Sequence, residues 1–517
     1  MELGKFYSQF QETNPEKFNE DLIYLKEYDN ILEKVEDACK SLEILDGITF
    51  NYARMLNNRV IYEETNPGKN KFYEVDYESS RLIYMELSFT LEKKNKKKEL
   101  EKEDIKLKLA FPRLMNGCYY YINNVRYYPI YQIIDAETYK SGNSLTMRTS
   151  LQPIVVAKKN ITVESLNYEG EIKEYYMFSK IFKVKVPIFN YFFAKMGIEK
   201  TLEYFSINEW EILDVEDVND YDNYDDKLLF KLGKYLLLAV PINYIDDVQN
   251  RILLLTFLNA FKNNDKVSYE NINNIKFWLK KLGSYFTKNT SNFENKGLSV
   301  QSSFERLLDD TTKRYIRIPN TDKKDIYTLL RWLMINYNNL LKQNNDDLAN
   351  KRLRLNECFI YPLIDTWTQG VLRILNGKNN TIEKLRTLFS NINEDFFVKK
   401  IVNNSDNLRY MNNVNSIDLG NKLKLTIAGN QSISNSKGEI RGKTIDISML
   451  GRVDLVHTSN NDPGTTRMLT PFCELTPTWH FTESPNIEAN SFDEDEEEDY
   501  IIDDDILIES SSDYDDE

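Results

Sequence analysis

The sequence predicts an α+β fold divided among several domains. The chain has 517 residues, and one hydrophobic core stops growing near ~250–300 residues, so we expect two to four domains. Hydrophobic residues make up 41% of the chain, which is enough for packed cores. Stretches with alternating apolar residues, typical of strands, and stretches with an apolar period near 3.6, typical of helices, both occur along the chain.

The N-terminal part predicts a long helix followed by two hairpins. The segment NPEKFNEDLIYLKEYDNILEKVEDACKSLEIL has Pro15 after Asn14, a favourable helix start, and apolar residues three and four apart. From Leu82, the alternating stretches LIYMELSFTLE and IKLKLAF flank the charged run KKNKKKELEKED, which predicts a hairpin with a solvated tip. In NGCYYYINNVRYYPIYQI, Asn123 and Asn124 separate two aromatic, strand-forming halves, which predicts a second hairpin.

The middle of the chain, residues 136–345, predicts strands that precede helices. PIVVAKK, FKVKVPIF and KLGKYLLLAVP are strand-like, whereas DVQNRILLLTFLNAFKN, NINNIKFWLKKLGSYF and DIYTLLRWLMINYNNLLKQ carry helical apolar stripes. The polar string KQNNDDLANKRLRLNE then predicts a domain joint. Two more predicted helices follow, in CFIYPLIDTWTQGVLRIL and TIEKLRTLFSNINEDFFVKKIV, and residues 403–491 predict short strands and irregular chain.

The charge of the chain is concentrated at one end. The net charge is −15, and residues 493–517 contain fifteen acidic and no basic residues. The remaining residues therefore carry equal numbers of acidic and basic side chains, 66 of each. A neutral body can still carry a basic face, so the total charge does not exclude a nucleic-acid partner.

Composition argues against several other classes of protein. The four cysteines and two histidines have no close metal-binding spacing, which argues against a structural zinc; they are Cys39, Cys118, Cys358, Cys473, His457 and His480. Scattered cysteines predict reduced core residues of an intracellular protein. The N-terminus lacks a signal pattern and no apolar run reaches ~18 residues, so we expect a soluble, cytoplasmic protein, in the host cytoplasm if it is viral.

The segment SKGEIRGKT comes close to a phosphate-binding P-loop, but its spacing argues against one. A P-loop has four residues between its first glycine and Gly-Lys-Thr, so that backbone N–H groups surround the phosphates. Only three residues separate Gly438 from Gly442. Polar residues precede the segment, where a P-loop follows directly on a buried strand.

An acidic run near the C-terminus faintly resembles a catalytic aspartate triad. Phe492 is followed by seven consecutive acidic residues. A two-metal site requires rigidly held carboxylates with supporting hydrogen bonds. Consecutive acids without a turn or an apolar strand repel each other and stay solvated, so residues 492–517 predict a disordered acidic tail.

Ile392 to Gly429, INEDFFVKKIVNNSDNLRYMNNVNSIDLGNKLKLTIAG, resembles one stretch of the β subunit of multisubunit RNA polymerases. In that family a helix leads into Ser-x-Leu-x-Gln-Phe-Met-Asp-Gln-Asn-Asn-Pro-Leu, then a basic segment and Ala-Leu-Gly. The roughly matching positions are Leu408, Tyr410, Met411, Asn412, Asn413 and Ile417, with Lys422 and Lys424 in the basic segment. The resemblance implies that this stretch, with Arg409 beside Tyr410, lines the RNA path near the active site.

A second stretch, VHTSNNDPGTTRMLTPFCELTPTWHFTESPNIEANS, is similar to the family motif Val-His-Pro-Ser-His-Tyr-Gly-Arg…Pro-Ile-Glu-Thr-Pro-Glu-Gly-Pro-Asn-Ile. Its matching positions are Val456, His457, Ser459, Arg467, Thr476, Pro477, Glu483, Pro485, Asn486 and Ile487. The loop before it contains SKGEIRGKT and resembles fork loop 2, which implies phosphate contacts for Lys437, Arg441 and Lys443. Arg452 follows Gly451, where we expect a close backbone approach and a two-donor phosphate contact.

Two upstream segments resemble the same family in the same order. NGCYYYINNVRYYPIYQI resembles the hairpin Gly-x-Phe-Ile-Ile-Asn-Gly-x-Glu-Arg, with Arg126 near its arginine. NKRLRLNECFIYPLIDTW resembles Asn-Arg-Arg-Ile-Arg and the helix after it, through Lys351, Arg352 and Arg354. The resemblance covers residues 82–491 and is weak between residues 150 and 345.

The resemblance implies the N-terminal half of a split β subunit, of the type found in jumbo bacteriophages. Residues 1–138 with 346–400 would form a protrusion-like domain, 139–345 a lobe-like domain and 401–491 the fork and active-site wall. No catalytic residue and no cofactor is implied here, since the aspartates that bind Mg²⁺ belong to a β′-like polypeptide. The implied partners are that polypeptide, the rest of β, a promoter-specificity subunit in some complexes, the DNA template and the RNA product.

Every candidate basic residue also has an interpretation without nucleic acid. Lys422 and Lys424 could form a solvated strand edge, Arg409 could cap a surface helix, and Arg467 could pair with a carboxylate. His457 fits a packed, hydrogen-bonded group better than an acid–base catalyst. The alternative for the whole chain is a viral interaction or transcription-regulating protein that acts through its acidic tail. The only sequence feature that favours a stand-alone nucleotide-using enzyme is the imperfect P-loop.

Overall fold

The structure is a computed structural model that describes residues 31–56, 81–94, 99–115, 119–122, 124–168, 170–216, 224, 226–262, 267–354, 356–377, 381–404, 408–411, 425–428, 445–454, 466–470 and 473–482. All of these residues belong to one compact unit, residues 1–482. They form α-helices and five separate β-sheets. This mixture agrees with the predicted α+β class. The predicted tail, residues 492–517, lies outside the described residues.

The strands and helices are numbered in chain order. The strands are β1 Ile48–Leu56, β2 Leu82–Lys94, β3 Leu100–Pro112, β4 Leu114–Met115, β5 Tyr119–Ile122, β6 Val125–Pro129, β7 Tyr131–Asp135, β8 Thr138–Ser141, β9 Ser144–Met147, β10 Ile154–Glu164, β11 Glu171–Ile181, β12 Val184–Pro187, β13 Glu211–Asp214, β14 Lys227–Leu232, β15 Leu236–Pro241, β16 Lys351–Arg354, β17 Leu408–Tyr410, β18 Leu425–Ala428 and β19 Thr466–Met468. The α-helices are α1 Ile31–Lys40, α2 Phe189–Met196, α3 Ile198–Tyr204, α4 Val248–Phe261, α5 Ile275–Phe286, α6 Phe293–Glu305, α7 Asp310–Tyr315, α8 Ile326–Ile335, α9 Tyr337–Leu341, α10 Asn356–Leu375, α11 Ile382–Arg386 and α12 Phe396–Asn404. Short 3₁₀ helices lie at Ser41–Ile44, Ile242–Ile245, Thr290–Asn292, Asn320–Lys323, Leu348–Asn350 and Ile447–Met449.

The first sheet is antiparallel, in the order β1-β2-β3. In β2 the apolar residues Met85, Leu87, Phe89 and Leu91 are fully buried, as the alternating pattern predicts. The intervening Glu86 and Ser88 are buried as well, which the pattern does not predict. Helices α1, α11 and α12 pack on this sheet. The predicted helix is confirmed for residues 31–40, and its earlier part lies outside the described residues. The Phe89 ring centroid lies 4.9 Å from that of Phe389 and 6.2 Å from that of Trp367 on α10.

The β2–β3 hairpin is longer than its alternating pattern predicts. Its strands continue into the charged run, where Glu92 lies opposite Lys102 and Lys93 lies opposite Glu101. Opposite charges on facing strand positions stabilise an exposed ladder, so these residues do not end the strands. The predicted tip, residues 95–98, lies outside the described residues.

The middle of the chain contains the predicted strands and helices, with two differences: KLGKYLLLAVP spans parts of two strands, β14 and β15, and DIYTLLRWLMINYNNLLKQ forms two helices, α8 and α9. A five-stranded sheet has the order β12-β11-β10-β9-β8, and a three-stranded sheet has the order β13-β15-β14. The three predicted helices begin at side chains that accept backbone N–H bonds: Asp247 for α4, Asn274 for α5 and Asp325 for α8. An aromatic cluster fills the space between these helices and the sheet, and in it the Phe193 ring lies 4.7 Å from Trp278.

Two features of the helices depart from simple expectation. The segment TIEKLRTLFSNINEDFFVKKIV, predicted as one helix, forms the two short helices α11 and α12. Between them, the Glu394 carbonyl accepts a 2.7 Å hydrogen bond from the Ala110 N–H of β3, so the break between the two helices connects this segment to the first sheet.

Helices α5 and α6 pack very closely. A Cβ added at Gly297 would lie 2.0 Å from the Leu279 carbonyl oxygen, so only glycine fits at this position.

Two four-stranded sheets bring distant parts of the chain together. One has the order β17-β6-β5-β4 and the other β16-β7-β18-β19. The second hairpin is confirmed, since β5 pairs with β6 and Asn124 occupies the turn with φ of 64°. Only the β18–β7 pairing is parallel in these two sheets. The predicted domain boundaries stay predictions, although the second sheet joins strands from the predicted protrusion-like and fork regions.

No helix in the described part of the chain is both long enough and apolar enough to cross a membrane.

Candidate nucleic-acid interface

The structure describes seven of the twelve predicted nucleic-acid-binding residues. They are Arg126, Lys351, Arg352, Arg354, Arg409, Arg452 and Arg467. The other five, Lys422, Lys424, Lys437, Arg441 and Lys443, lie outside the described residues. His457 also lies outside them.

Arg126 and Arg409 come from distant segments and meet on adjacent strands. Arg409 on β17 lies opposite Tyr128 on β6, and Arg126 is two residues earlier on β6. Side chains two residues apart on a strand share a face, and directly opposite residues share it too. Both arginines therefore lie on one face as diagonal neighbours, which are about 7–8 Å apart in antiparallel sheets. Both are exposed.

Tyrosines and a third arginine complete this face of the sheet. Arg126 lies 5.3 Å from the Tyr119 ring and opposite Tyr121 on β5. Arg81 lies 3.9 Å from the Tyr121 ring and donates a 3.2 Å hydrogen bond to Asn124 Oδ1. We call this surface the arginine–tyrosine face; its members are Arg81, Arg126, Arg409, Tyr119 and Tyr121. Among the described residues, none of its arginines forms an ion pair with a carboxylate.

The opposite side of the same edge strand carries a tyrosine pair. Tyr410 is 65% exposed, and its ring lies 5.1 Å from that of Tyr127. Burial raises the pKa of Tyr127, and the hydrogen bond with Tyr410 raises it further. The Tyr127 hydroxyl therefore stays protonated near neutral pH and can donate a hydrogen bond. Among the described residues β17 is the end strand of its sheet, and Tyr410 lies on the face of this strand opposite to that of Arg409.

The basic residues of β16 are buried or half-buried. Lys351 Nζ lies 2.5 Å from Asp135 Oδ1, and the Arg354 guanidinium donates to Gln132 Oε1 at 2.7 and 2.5 Å. Arg352 and Arg354 are buried. The string predicted as a domain joint thus contains a buried strand, because acidic and amide groups near β7 match its basic side chains.

Arg352 belongs to a buried polar network that the sequence did not reveal. Its Nε lies 2.5 Å from Glu137 Oε1, while Glu137 Oε2 lies 2.8 Å from His480 Nε2. His480 Nδ1 lies 2.9 Å from Thr478 Oγ1. Burial raises the pKa of Glu137, but the Arg352 charge and the His480 bond outweigh it, so the pKa is lowered overall. The buried network consists of Arg352, Glu137, His480 and Thr478.

The buried network is structural. Its hydroxyl–imidazole–carboxylate order resembles the order in hydrolase triads. His480, however, has 0% exposure, so a substrate cannot reach its ring. The network instead joins β16 to residues 476–481, where the Leu353 N–H donates a 2.8 Å bond to the Trp479 carbonyl. The only sequence signal was a histidine close to Thr476 and Pro477 of the second motif.

Arg467 and Arg452 are also buried, with 3% and 5% exposure. Arg467 lies on β19 opposite Thr426, and burial lowers its pKa. Gly451 has a φ of 76°, and no described atom lies within 4 Å of a Cβ added there. The expected close backbone approach at Gly451 is therefore absent among the described residues. The glycine is instead needed for its left-handed backbone conformation.

The described residues contain no group of three or more His, Cys, Asp or Glu side chains that could hold a metal ion. Cys39 and Cys473 are free thiols, and burial raises the pKa of Cys473 to about 11, against the Arg452 charge, which lowers it. What the geometry offers is a basic, aromatic surface for an anionic ligand.

A comparison with protein families shows the family to which the chain belongs. The family described as non-virion RNA polymerase subunit matches residues 6–505, nearly the full length. No curated protein matches the sequence. RNA polymerase subunits work with other subunits of the same enzyme, so the chain has polymerase subunits as partners. The chain belongs to the non-virion RNA polymerase subunit family, and it is a subunit of a viral multisubunit RNA polymerase.

Proposed function

We propose that this chain is the N-terminal portion of a split RNA polymerase β subunit. In this role it helps to clamp downstream DNA, to keep the strands apart and to support the RNA–DNA hybrid during DNA-templated RNA synthesis. It performs no covalent chemistry itself. A β′-like partner supplies the catalytic aspartates and Mg²⁺, and another polypeptide supplies the rest of β.

The pairing of β6 with β17 is the observation that carries this proposal. β6 lies in the segment that resembles the family hairpin, and β17 lies in the segment that resembles the RNA-path motif. These segments are far apart in sequence, yet Arg409 lies opposite Tyr128, two residues from Arg126. Two motifs that serve one nucleic-acid channel should adjoin in this way, which supports the proposal.

The arginine–tyrosine face has the chemistry that a nucleic-acid strand requires. Arginine donates two parallel hydrogen bonds to a phosphate. Tyrosine rings provide stacking surfaces for unpaired bases, and this contact tolerates any sequence. Both properties suit a polymerase, which must hold every sequence that it transcribes.

The other predicted residues enter the proposal in two groups. Lys422, Lys424, Lys437, Arg441 and Lys443 are proposed to contact phosphates directly. The second group is half-buried or buried in the described chain: Lys351, Arg352, Arg354, Arg452 and Arg467. We propose that these residues stabilise the wall of the channel without contacting nucleic acid.

Substituting Arg126 and Arg409 tests the proposal. The variant Arg126→Ala/Arg409→Ala is assembled into the polymerase, and dissociation of a transcribing complex is measured against salt concentration. Each lost phosphate contact reduces the slope of log affinity against log salt by about 0.7–0.9, so we expect a reduction near 1.4–1.8. Arg373→Ala, at an exposed position of α10, is the control. A double variant with the control's salt slope would contradict the proposal.

Removal of the acidic segment distinguishes the proposed polymerase role from the alternative role as an interaction or regulatory protein. Deleting residues 493–517 should leave transcription by the assembled polymerase largely intact. If the chain instead acts as an interaction or regulatory protein through this segment, the deletion abolishes its function while the Arg126→Ala/Arg409→Ala variant stays active.

A further inference from the structure

The five-stranded sheet has one buried face and one partly exposed face. Along β11 the buried side chains are Tyr175, Met177, Ser179 and Ile181. Between them, Tyr176 and Phe178 are half-buried and Lys180 is exposed. Because side chains alternate along a strand, these three residues lie together on the outer face. The outer face of an antiparallel sheet is ordinarily polar, so two neighbouring aromatic rings on it are unusual.

Two further lysines from the neighbouring strands lie on the same outer face. Lys185 on β12 is directly opposite Lys180, and Lys159 on β10 is directly opposite Tyr176. Directly opposite residues share a face of the sheet. All three lysines are exposed, and none of them forms an ion pair with a carboxylate in the described part of the chain. We call Lys159, Tyr176, Phe178, Lys180 and Lys185 the lysine–aromatic face.

The lysines lie at both ends of the aromatic pair. The Phe178 ring centroid lies 6.2 Å from that of Tyr176 and 5.5 Å from Lys185 Nζ. Lys159 is opposite Tyr176, which is four residues from Lys180, a separation of about 14 Å along the strand. The Lys180 and Lys185 charges are directly opposite each other, and such like-charge pairs are unfavourable. An anionic ligand on this face would remove the repulsion.

The composition of the lysine–aromatic face favours nucleic acid over protein as that ligand. Protein–protein interfaces are depleted in lysine, whereas lysine is the main residue type here. A duplex is read by a helix or a two-stranded ribbon that enters a groove, and this face extends over β10, β11 and β12, which is too broad for a groove. A single strand offers phosphates to the lysines and unpaired bases to the rings.

We propose that the lysine–aromatic face binds a single strand of nucleic acid. Its phosphates contact Lys159 at one end of the face and Lys180 and Lys185 at the other, and its bases stack on Tyr176 and Phe178. Base stacking on aromatic rings tolerates any sequence. The face belongs to a different sheet from the arginine–tyrosine face, and the proposal does not depend on the assignment to a split β subunit.

Photochemical crosslinking of the assembled polymerase tests which ligand occupies the face. The probe is an oligothymidylate of about 16 nucleotides, the upper end of a single-strand binding site, that contains 4-thiothymidine, and crosslinked peptides are identified by mass spectrometry. We expect labelling of β11, Glu171–Ile181. The same strand in a duplex should label β11 at least tenfold less, and polyglutamate should compete at least tenfold less well than unlabelled oligothymidylate at equal charge. No labelling of β11, equal labelling by the duplex, or equal competition by polyglutamate would overturn the proposal.

Replacing the lysines tests the phosphate contacts at this site alone. The yield of the β11 crosslink against probe concentration gives the apparent affinity. A single strand loses about 0.7 of its log affinity against log salt slope per phosphate contact, so Lys159→Ala/Lys180→Ala/Lys185→Ala should lower the slope by about 2.1. The control removes the same charge at exposed lysines of α3, β14 and α5, namely Lys200→Ala/Lys231→Ala/Lys276→Ala. Equal slopes in the two variants would contradict the proposal.

Replacing Phe178 by Leu tests the stacking contact. Leucine keeps an apolar side chain but has no ring on which a base can stack, so the apparent affinity should fall about 5-fold or more while the salt slope stays that of the unaltered polymerase. An unchanged affinity would refute stacking at Phe178. The Arg126→Ala/Arg409→Ala variant should label β11 as the unaltered polymerase does, so failure at one face is distinguishable from failure at the other.

Discussion

Replacing Glu137 by Gln tests whether the buried network holds β16 in place. Glu137 is 6% exposed, and Gln keeps its shape while removing the negative charge that faces Arg352 at 2.5 Å. Removing one partner of a buried ion pair costs about 3–5 kcal/mol, because the other charge stays desolvated. The same substitution at Glu171, whose pair with Lys173 is half-exposed or more, should cost far less, because water screens an exposed ion pair.

Amide hydrogen exchange measures the loss of stability locally, at β16. A chain of this size does not unfold in one step, so a local readout is better than a single unfolding midpoint. The peptide containing β16 is suitable, since the Leu353 N–H bonds to the Trp479 carbonyl across the network. A loss of about 3–5 kcal/mol corresponds to exchange that is roughly 150- to 4,000-fold faster when exchange follows local opening.

The control variant decides how the result is interpreted. Glu171→Gln should leave the exchange of the β16 peptide within about fivefold of wild type, the range expected for an exposed pair. If Glu137→Gln behaves like Glu171→Gln, the ion pair does not hold the strand. The reasoning from burial would then be refuted.

Two further outcomes follow from the same structure. The pKa of Glu137 lies below its ordinary value of 4.5, so its stabilising effect is complete above pH 4.5 and is lost as the pH falls through the folded pKa; acid should therefore destabilise wild type more steeply than Glu137→Gln, and parallel acid titrations would contradict this. Gly297→Ala should lower the thermal midpoint by overpacking worth about 1–3 kcal/mol against the Leu279 backbone. Gly370→Ala should cost less, since its close neighbour is the end of the Leu388 side chain, which can move; an equal loss in both variants would contradict the argument.

Hairpins and helices with strong local patterns were predictable from the sequence. The turn at Asn124 and the helix that begins after Asp325 are examples, because each depends on neighbouring residues in the sequence. The extra length of β2 and β3 was less predictable. It depends on cross-strand charge pairs such as Lys93 with Glu101, and these are defined only once the register is known.

The sequence did not reveal that the basic strand β16 is buried. Four residues reading Lys-Arg-Leu-Arg are typical of a solvated segment, since arginine is seldom buried without a partner. Here Glu137 and Gln132 provide partners from a distant part of the chain. The exposure of Ile447 and Leu450 was missed for the opposite reason: these apolar residues lie in a short segment without periodicity, and only the three-dimensional packing leaves them exposed.

The arginine–tyrosine face was predictable in part. The resemblance identified Arg126 and Arg409 separately, but only the strand register unites them. Arg81 and the tyrosine rings beside it carry no motif, and their proximity follows from the turn that closes the β5–β6 hairpin.

The parallel pairing of β7 with β18 has a consequence for biosynthesis. Gln132 pairs with Ile427, so the ribosome releases β7 long before its neighbour exists. At roughly 5–20 residues per second, translation of the intervening chain takes on the order of 15–60 s. During that interval β7 has an open edge that can bind the wrong strand. Chaperones that shield nascent sheet edges should therefore govern the yield of this protein in the infected cell.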